Sequence, residues 1–149
     1  VEAHIVADAS VFIWGKRPQG ELITVPAVEK ELKDLRSKTL LYIFEARVES
    51  PSRGALAEAR AAAQRTGDIA VLSEADLEVL AKALEYGTLA TDDYALQNVA
   101  LHLGLKIEPV GQPKIGRKRR RVQRCRGCGK ACQEEVCPDC GTPMRRRII

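Results

Sequence analysis

The 149-residue chain has no long apolar run. No stretch approaches the roughly 18 apolar residues that a bilayer-spanning helix needs, so no membrane association is expected. No basic segment followed by an apolar one opens the sequence. Val1 to Val11 already carries the pattern of a strand, and a cytoplasmic location is expected. Aromatic residues make up only 4% of the chain, and none lies in residues 111–149, so that end offers no platform for base stacking. Cysteine is missing from residues 1–124, and all five thiols fall beyond. In an intracellular chain, thiols clustered in this way point to metal binding before disulfides. No repeat of domain scale is visible. A single Met and many charges match the composition of heat-adapted proteins.

What is there is a core and a divided charge. Hydrophobic residues make up 45% and charged residues 30%, too much patterned apolar content for a disordered chain. Residues 1–110 carry 12 basic and 17 acidic side chains, whereas residues 111–149 carry 12 basic and 3 acidic. A mildly acidic domain is thus joined to a strongly basic tail, the electrostatic footprint expected for a polyanion partner. The boundary falls at Gly111-Gln112-Pro113-Lys114-Ile115-Gly116, rich in turn formers. Three segments follow: a domain over 1–110, a basic linker over 111–124, and a cysteine-bearing module with a basic end over 125–149.

Within the first segment, short apolar runs alternate with helical patterns. His4-Ile5-Val6-Ala7, Leu22 to Val25, Thr88 to Thr91 and Leu105 to Val110 read as strands. Helices are expected from Pro26 and Ala27 to Ser37, Leu40 to Val48, Ala55 to Gln64, Ser73 to Tyr86 and Tyr94 to Leu103. Gly87 and Gly104 act as stops after the last two. Glu49 to Gly54 reads as a loop or short edge strand, and Ile69 to Leu72 is ambiguous. The alternation predicts an α/β fold with a mostly parallel central sheet flanked by helices.

The acids fall where such a fold gathers ligands. Asp8 follows one apolar strand, and Asp92 and Asp93 follow another. Open parallel sheets bind at the carboxyl ends of their strands. Helices that follow those strands begin at the same edge, which brings Glu31 and Asp76 toward it. Carboxylates packed together repel and raise one another's pKa values unless a cation neutralises them. A hard divalent ion, Mg²⁺ or Mn²⁺, is the natural remedy. Paired ions about 3.5–4 Å apart are the usual clamp for phosphodiester hydrolysis. Each acid also has a plainer reading. Asp76 fits the capping box Ser73-Glu74-Ala75-Asp76. Glu31 alone is an ordinary solvated helix acid, and Asp92-Asp93 alone is a turn or N-cap pair. Asp8 is the hardest to explain by packing.

Order and context add to this. Val6-Ala7-Asp8-Ala9-Ser10, Val28-Glu29-Lys30-Glu31-Leu32, Ala75-Asp76-Leu77-Glu78-Val79 and Thr91-Asp92-Asp93 fall in one sequence order. In that order they resemble the PIN-domain nucleases, a parallel-sheet family of metal-dependent RNA-cleaving enzymes. The resemblance implies a PIN-like domain in which Asp8, Glu31, Asp76 and Asp93 hold Mg²⁺ or Mn²⁺. Asp92, in the variable place of the Thr-x-Asp motif, is a weaker candidate. Ser10 and Thr91 would support the carboxylates from behind.

Cys125-Arg126-Gly127-Cys128 and Cys137-Pro138-Asp139-Cys140 form two CxxC pairs separated by residues 129–136. The pattern predicts one structural Zn²⁺ in a small ribbon, held by Cys125, Cys128, Cys137 and Cys140. Cys132 breaks the paired spacing and is read as a bystander. So little apolar mass lies between the ligands that folding there should depend on the metal. Arg117, Lys118, Arg119, Arg120, Arg121, Arg124, Arg126, Arg145, Arg146 and Arg147 flank the module. They read either as a solvated charge run or as RNA-binding residues that position phosphates with little base readout. The chain as a whole resembles the ribosome-assembly branch of the PIN family. That implies endonucleolytic maturation of the 3′ end of small-subunit ribosomal RNA, with the precursor RNA, the pre-ribosomal small subunit and its assembly factors as partners. The alternatives are a non-catalytic RNA-binding assembly factor and a toxin-like PIN ribonuclease.

Overall fold

A computed structural model of the chain describes residues 3–111, Lys118 and the two strands Arg121–Cys125 and Met144–Ile148. The main domain runs β1 (His4–Ala7), α1 (Ala9–Trp14), β2 (Glu21–Thr24), α2 (Pro26–Glu31), α3 (Leu35–Ile43), β3 (Arg47–Val48), α4 (Arg53–Thr66), a 3-10 turn (Asp68–Ala70), α5 (Glu74–Tyr86), β4 (Thr88–Ala90), α6 (Tyr94–His102) and β5 (Lys106–Glu108). The strands form one five-stranded sheet in the order β3-β2-β1-β4-β5, and every pairing is parallel.

The strands lack polar-apolar alternation because helices cover both faces. Val6, Ala7, Leu22, Ile23, Leu89 and Ala90 are wholly buried. Against them pack Leu77, Leu80, Ala81 and Ala83 of α5 and Leu96, Val99 and Ala100 of α6, also buried. The small side chains Ala59, Ala62 and Ala63 of α4 are buried as well. Their lack of bulk lets α4 lie close to α5. Ser52 and Ser73 cap these two helices, and Gly67 and Gly87 end them in the left-handed region at φ 83° and 99°. There a Cβ would cost about 1–2 kcal/mol.

The winding positions the site. The chain steps outward from β1 to β2 and β3, then crosses back through α4 and α5 to lay β4 on the other side of β1. Strand order therefore reverses between β1 and β4, and loops that leave these strands diverge and open a crevice there. The Asp8 amide donates to the Ala90 carbonyl at 3.2 Å, which locks the exits of the two strands side by side. The buried Thr24 hydroxyl donates to the Ala7 carbonyl at 2.9 Å and fixes the residue before Asp8 from the β2 side.

Two local expectations need correction, and one helix was not anticipated. The sequence between β1 and β2 folds as α1, for which Asp8 is the N-cap. The helix expected to run to Ser37 is broken: Leu32 is extended, and Asp34 opens α3 by accepting from the Ser37 amide at 2.9 Å. A side chain so placed competes with helix continuation and starts a new one. The helix expected to reach Val48 stops at Ile43. The chain then turns through Glu45 at φ 56° and enters the edge strand β3.

Beyond the domain, β6 (Arg121–Cys125) pairs antiparallel with β7 (Met144–Ile148). The segment read as linker thus already contains the start of a strand. The register sets Arg124 opposite Arg145 and Gln123 opposite Arg146. The zinc expectation for Cys128, Cys137 and Cys140, the bystander Cys132, and the basic residues Arg117, Arg119, Arg120 and Arg126 lie outside the described residues.

Candidate active site

Four of the predicted acids share one cleft of about 280 Å³ at the β1/β4 crevice. Asp8, Glu31, Asp76 and Asp93 line it with Ala9, Ser10, Ile13, Trp14, Val28 and Val79. Asp8 forms the floor at 8% exposure. Asp76 is half-buried, and Glu31 and Asp93 are exposed at the rim.

Each acid is set by a local device. Asp8 Oδ1 accepts from the Ser10 amide at 2.6 Å, and Oδ2 accepts from the Thr91 hydroxyl. Thr91 Oγ1 in turn accepts from the Asp93 amide at 3.1 Å, so one hydroxyl joins the ends of β1 and β4. Asp93 caps α6, its Oδ1 accepting from the Ala95 amide at 2.8 Å. Asp76 completes a reciprocal capping box on α5: its Oδ2 accepts from the Ser73 amide at 2.8 Å, and its own amide donates to Ser73 Oγ at 3.1 Å. The capping and cleft readings of Asp76 are therefore both satisfied, the cap fixing the rotamer of a residue that lines the cleft. Glu31 is the last residue of the one-and-a-half-turn α2 and faces α5, where Asp76 sits.

Acidic charge gathers in the cleft. Burial pushes the Asp8 carboxyl up to about 6, against the Thr91 and Ser10 bonds that favour its charged form, and the Asp76 and Asp93 charges push it further. Glu31 is also raised, first by desolvation and then by the Asp76 charge. Among the described residues, no three His, Cys, Asp or Glu side chains gather into a ready-made metal cage. The acids instead ring an open cleft and supply only oxygen ligands. That donor set suits Mg²⁺ or Mn²⁺, which retain waters and reach substrate phosphate, and does not suit a closed zinc site.

The other predicted residues separate clearly. Ser10 and Thr91 lie against Asp8, and the Ser10 hydroxyl also accepts from the Asp92 amide at 3.2 Å. Asp92 does not line the cleft. Its carboxylate accepts from the amides of Val110 and Gly111 at 2.9 Å, fastening the end of the domain where the basic tail departs. His4 pairs with Glu21 at 3.0 Å and stacks on Tyr86, away from the cleft.

Sequence reasoning missed the buried amides that hold this edge. Gln97 Nε2 donates to the Thr91 carbonyl at 2.8 Å. Asn98 Nδ2 donates to Asp68 Oδ2 at 2.7 Å, and the Thr66 hydroxyl donates to the same oxygen at 2.8 Å. Asp68, Gln97 and Asn98 are at most 3% exposed. The available signal was two adjacent amides inside an otherwise apolar helix, where polar groups persist only with partners.

Comparison with known proteins agrees with this geometry. A family described as the PIN domain of ribonuclease matches residues 5–86. A protein of Archaeoglobus fulgidus named endoribonuclease Nob1 is 38% identical over 148 residues, covering 95% of this chain and 89% of the relative. The Nob1 of Pyrococcus abyssi is 42% identical over 156 residues, covering 97% and 94%. A protein of Aeropyrum pernix named ribonuclease VapC3 is 43% identical over 115 residues, but covers only 69% of this chain. PIN-domain nucleases use divalent metal ions, and the four acids that line the cleft supply oxygen donors. With a PIN fold over its first 110 residues and similarity to Nob1 proteins that extends through the cysteine-bearing tail, the chain belongs to the Nob1 endoribonucleases of the PIN-domain family.

Proposed function

We propose that this protein is a Mg²⁺- or Mn²⁺-dependent endoribonuclease that cuts precursor small-subunit ribosomal RNA to form its mature 3′ end. The observation that carries the reading is the convergence of Asp8, Glu31, Asp76 and Asp93 on one cleft, with Asp8 buried and its carboxyl raised to about 6. A site with such repulsion is costly unless a cation belongs there.

Bound divalent ions would supply a nucleophilic water at neutral pH and charge neutralisation at the departing oxygen. The four acids would hold them. The protein's own contribution is rigidity. Thr91 and the Ser10 amide clamp both oxygens of Asp8, the α6 amides orient Asp93, and the capping box fixes Asp76. Little reorganisation is then needed when substrate arrives. Water adds to phosphorus as the P–O3′ bond breaks, leaving a 3′-hydroxyl and a 5′-phosphate.

The tail would deliver the RNA. Arg117, Lys118, Arg119, Arg120, Arg121, Arg124, Arg126, Arg145, Arg146 and Arg147 would contact phosphates, in the context of the pre-ribosomal small subunit and its assembly factors in the cytoplasm. Cys125, Cys128, Cys137 and Cys140 would hold one structural Zn²⁺. In support, residues 111–149 carry 12 basic and 3 acidic side chains, the electrostatic footprint of a polyanion partner. Among the described residues no helix is long and apolar enough to cross a membrane.

The test is cleavage of an RNA spanning the 3′ end of small-subunit rRNA, with Mn²⁺ or Mg²⁺ and with chelator. Wild type should cut at one position only with metal, and Asp8→Asn and Asp93→Asn should each lose at least about 100-fold. Tight RNA binding with no cut in either metal would favour a non-catalytic assembly factor. Equal cutting of unrelated RNAs would favour a toxin-like ribonuclease.

A further inference from the structure

The acidic cleft has an apolar wall that phosphate chemistry does not require. Ile13 is 57% exposed and Trp14 is 47% exposed, and both line the cleft beside Asp8. Large apolar side chains left open at a concave polar site mark contact with a ligand's apolar part. In RNA that part is the base.

The candidates for stacking are few. The chain has six aromatic residues, all in the main domain. Phe12 and Phe44 are buried. The Tyr86 hydroxyl is bonded to Glu49 at 2.7 Å, and its ring stacks on His4. Tyr42 and Tyr94 are exposed but do not line the cleft. Trp14 alone joins a half-exposed aromatic ring to the cleft the acids line.

Its surroundings hold it for that task. A Cβ built on Gly111 would fall 3.0 Å from Trp14 Cδ2 and 3.1 Å from Cε2, so bare backbone lies against the indole. That backbone is pinned by Asp92, which accepts from the Gly111 amide. The ring is thus braced without the loss of its remaining exposure. The Lys16 ammonium stands 5.9 Å from the ring centroid, at the outer limit of a cation–π contact.

We propose that Trp14 is a base-stacking residue that positions the nucleotide next to the phosphate to be cut. This rests on the nuclease reading above and adds a base-contacting subsite to it. Stacking on an indole tolerates any base, so Trp14 would supply affinity and register rather than strong sequence choice.

Trp14 is the only tryptophan in the chain, so its emission reports this one site. The whole 149-residue chain is titrated with a short single-stranded RNA in Ca²⁺, alongside the same RNA with one base removed at each position in turn. Emission should be quenched at saturation, and one abasic position should abolish the quenching. In cleavage assays with the active metal, Trp14→Ala should raise KM by about 5- to 100-fold with kcat within a few-fold. Trp14→Phe should restore most of the loss, and both variants should melt with wild type. Unchanged emission together with an unchanged KM for Trp14→Ala overturns the proposal and leaves the nuclease standing. If wild type cleaves no RNA with any divalent ion, the nuclease reading fails and this proposal falls with it.

Discussion

Removing the charge of Asp8 should make the metal-free protein more stable while it abolishes cleavage. Its folded carboxyl holds a proton more tightly than the unfolded chain does, about 6 against 3.8. That difference corresponds to about 3 kcal/mol of penalty once the group is ionised in both states. The penalty is absent while the carboxyl is protonated in both states, grows as pH rises from about 3.8 to about 6, and is constant above. Between about pH 4 and about pH 8 it increases by about 2.5 kcal/mol. Asp8→Asn keeps the shape and never ionises, so it escapes the penalty. It has its own cost, because the Thr91 hydroxyl donates to Asp8 and must turn to accept from an amide nitrogen. One such bond is worth about 1 kcal/mol, and its loss applies across the whole pH range.

The quantity to measure is therefore the change in the mutant-minus-wild-type difference with pH, in which that fixed cost cancels. Denaturant unfolding in chelator should show Asp8→Asn gaining about 2.5 kcal/mol on wild type between about pH 4 and about pH 8. Adding Mn²⁺ at about pH 8 should then close the gap, because an ion that binds only the folded state stabilises wild type by mass action and finds one ligand fewer in the variant. A difference that does not move with pH would refute the reasoning. It would mean that the buried carboxylate is already compensated without metal and that the cleft is not built around a missing cation.

Asp92→Ala should keep metal-dependent cleavage within several-fold of wild type while Asp93→Asn loses it, and it should speed amide hydrogen exchange at Val110 and Gly111, which donate to Asp92. An Asp92 variant as inactive as the Asp93 variant would restore Asp92 to the metal site. Asn98→Ala should cost about 1–3 kcal/mol in thermal or denaturant unfolding, because the buried Asp68 carboxylate loses a 2.7 Å donor. A cost near zero would show that Asp68 is held by other means. Replacing Arg117, Lys118, Arg119, Arg120 and Arg121 with Ala should weaken RNA binding alike for all sequences, and should flatten the salt dependence by up to about 0.7 in log–log slope per lost phosphate contact. An unchanged slope would place the electrostatic contacts elsewhere.

What could be read from the sequence divides along a physical line. Strand identity was legible because β1, β2 and β4 are buried on both faces and therefore read as unbroken apolar runs ending in an acid or a turn. The meeting of Asp8 with Asp93 was legible because a parallel sheet sends every strand exit to one edge. The break before Asp34 and the short α1 were not legible, since apolar spacing continues across both and only cap chemistry reveals them. The division of labour within Asp92-Asp93 was half legible. Motif position favoured Asp93, but only the fold shows that Asp92 faces the departing tail and fastens Val110 and Gly111. Gly111, the residue Asp92 fastens, also lies against the Trp14 indole. Asp93, the one aromatic on the cleft wall and Gly111 at the root of the basic tail are thus tied to the exit of β4.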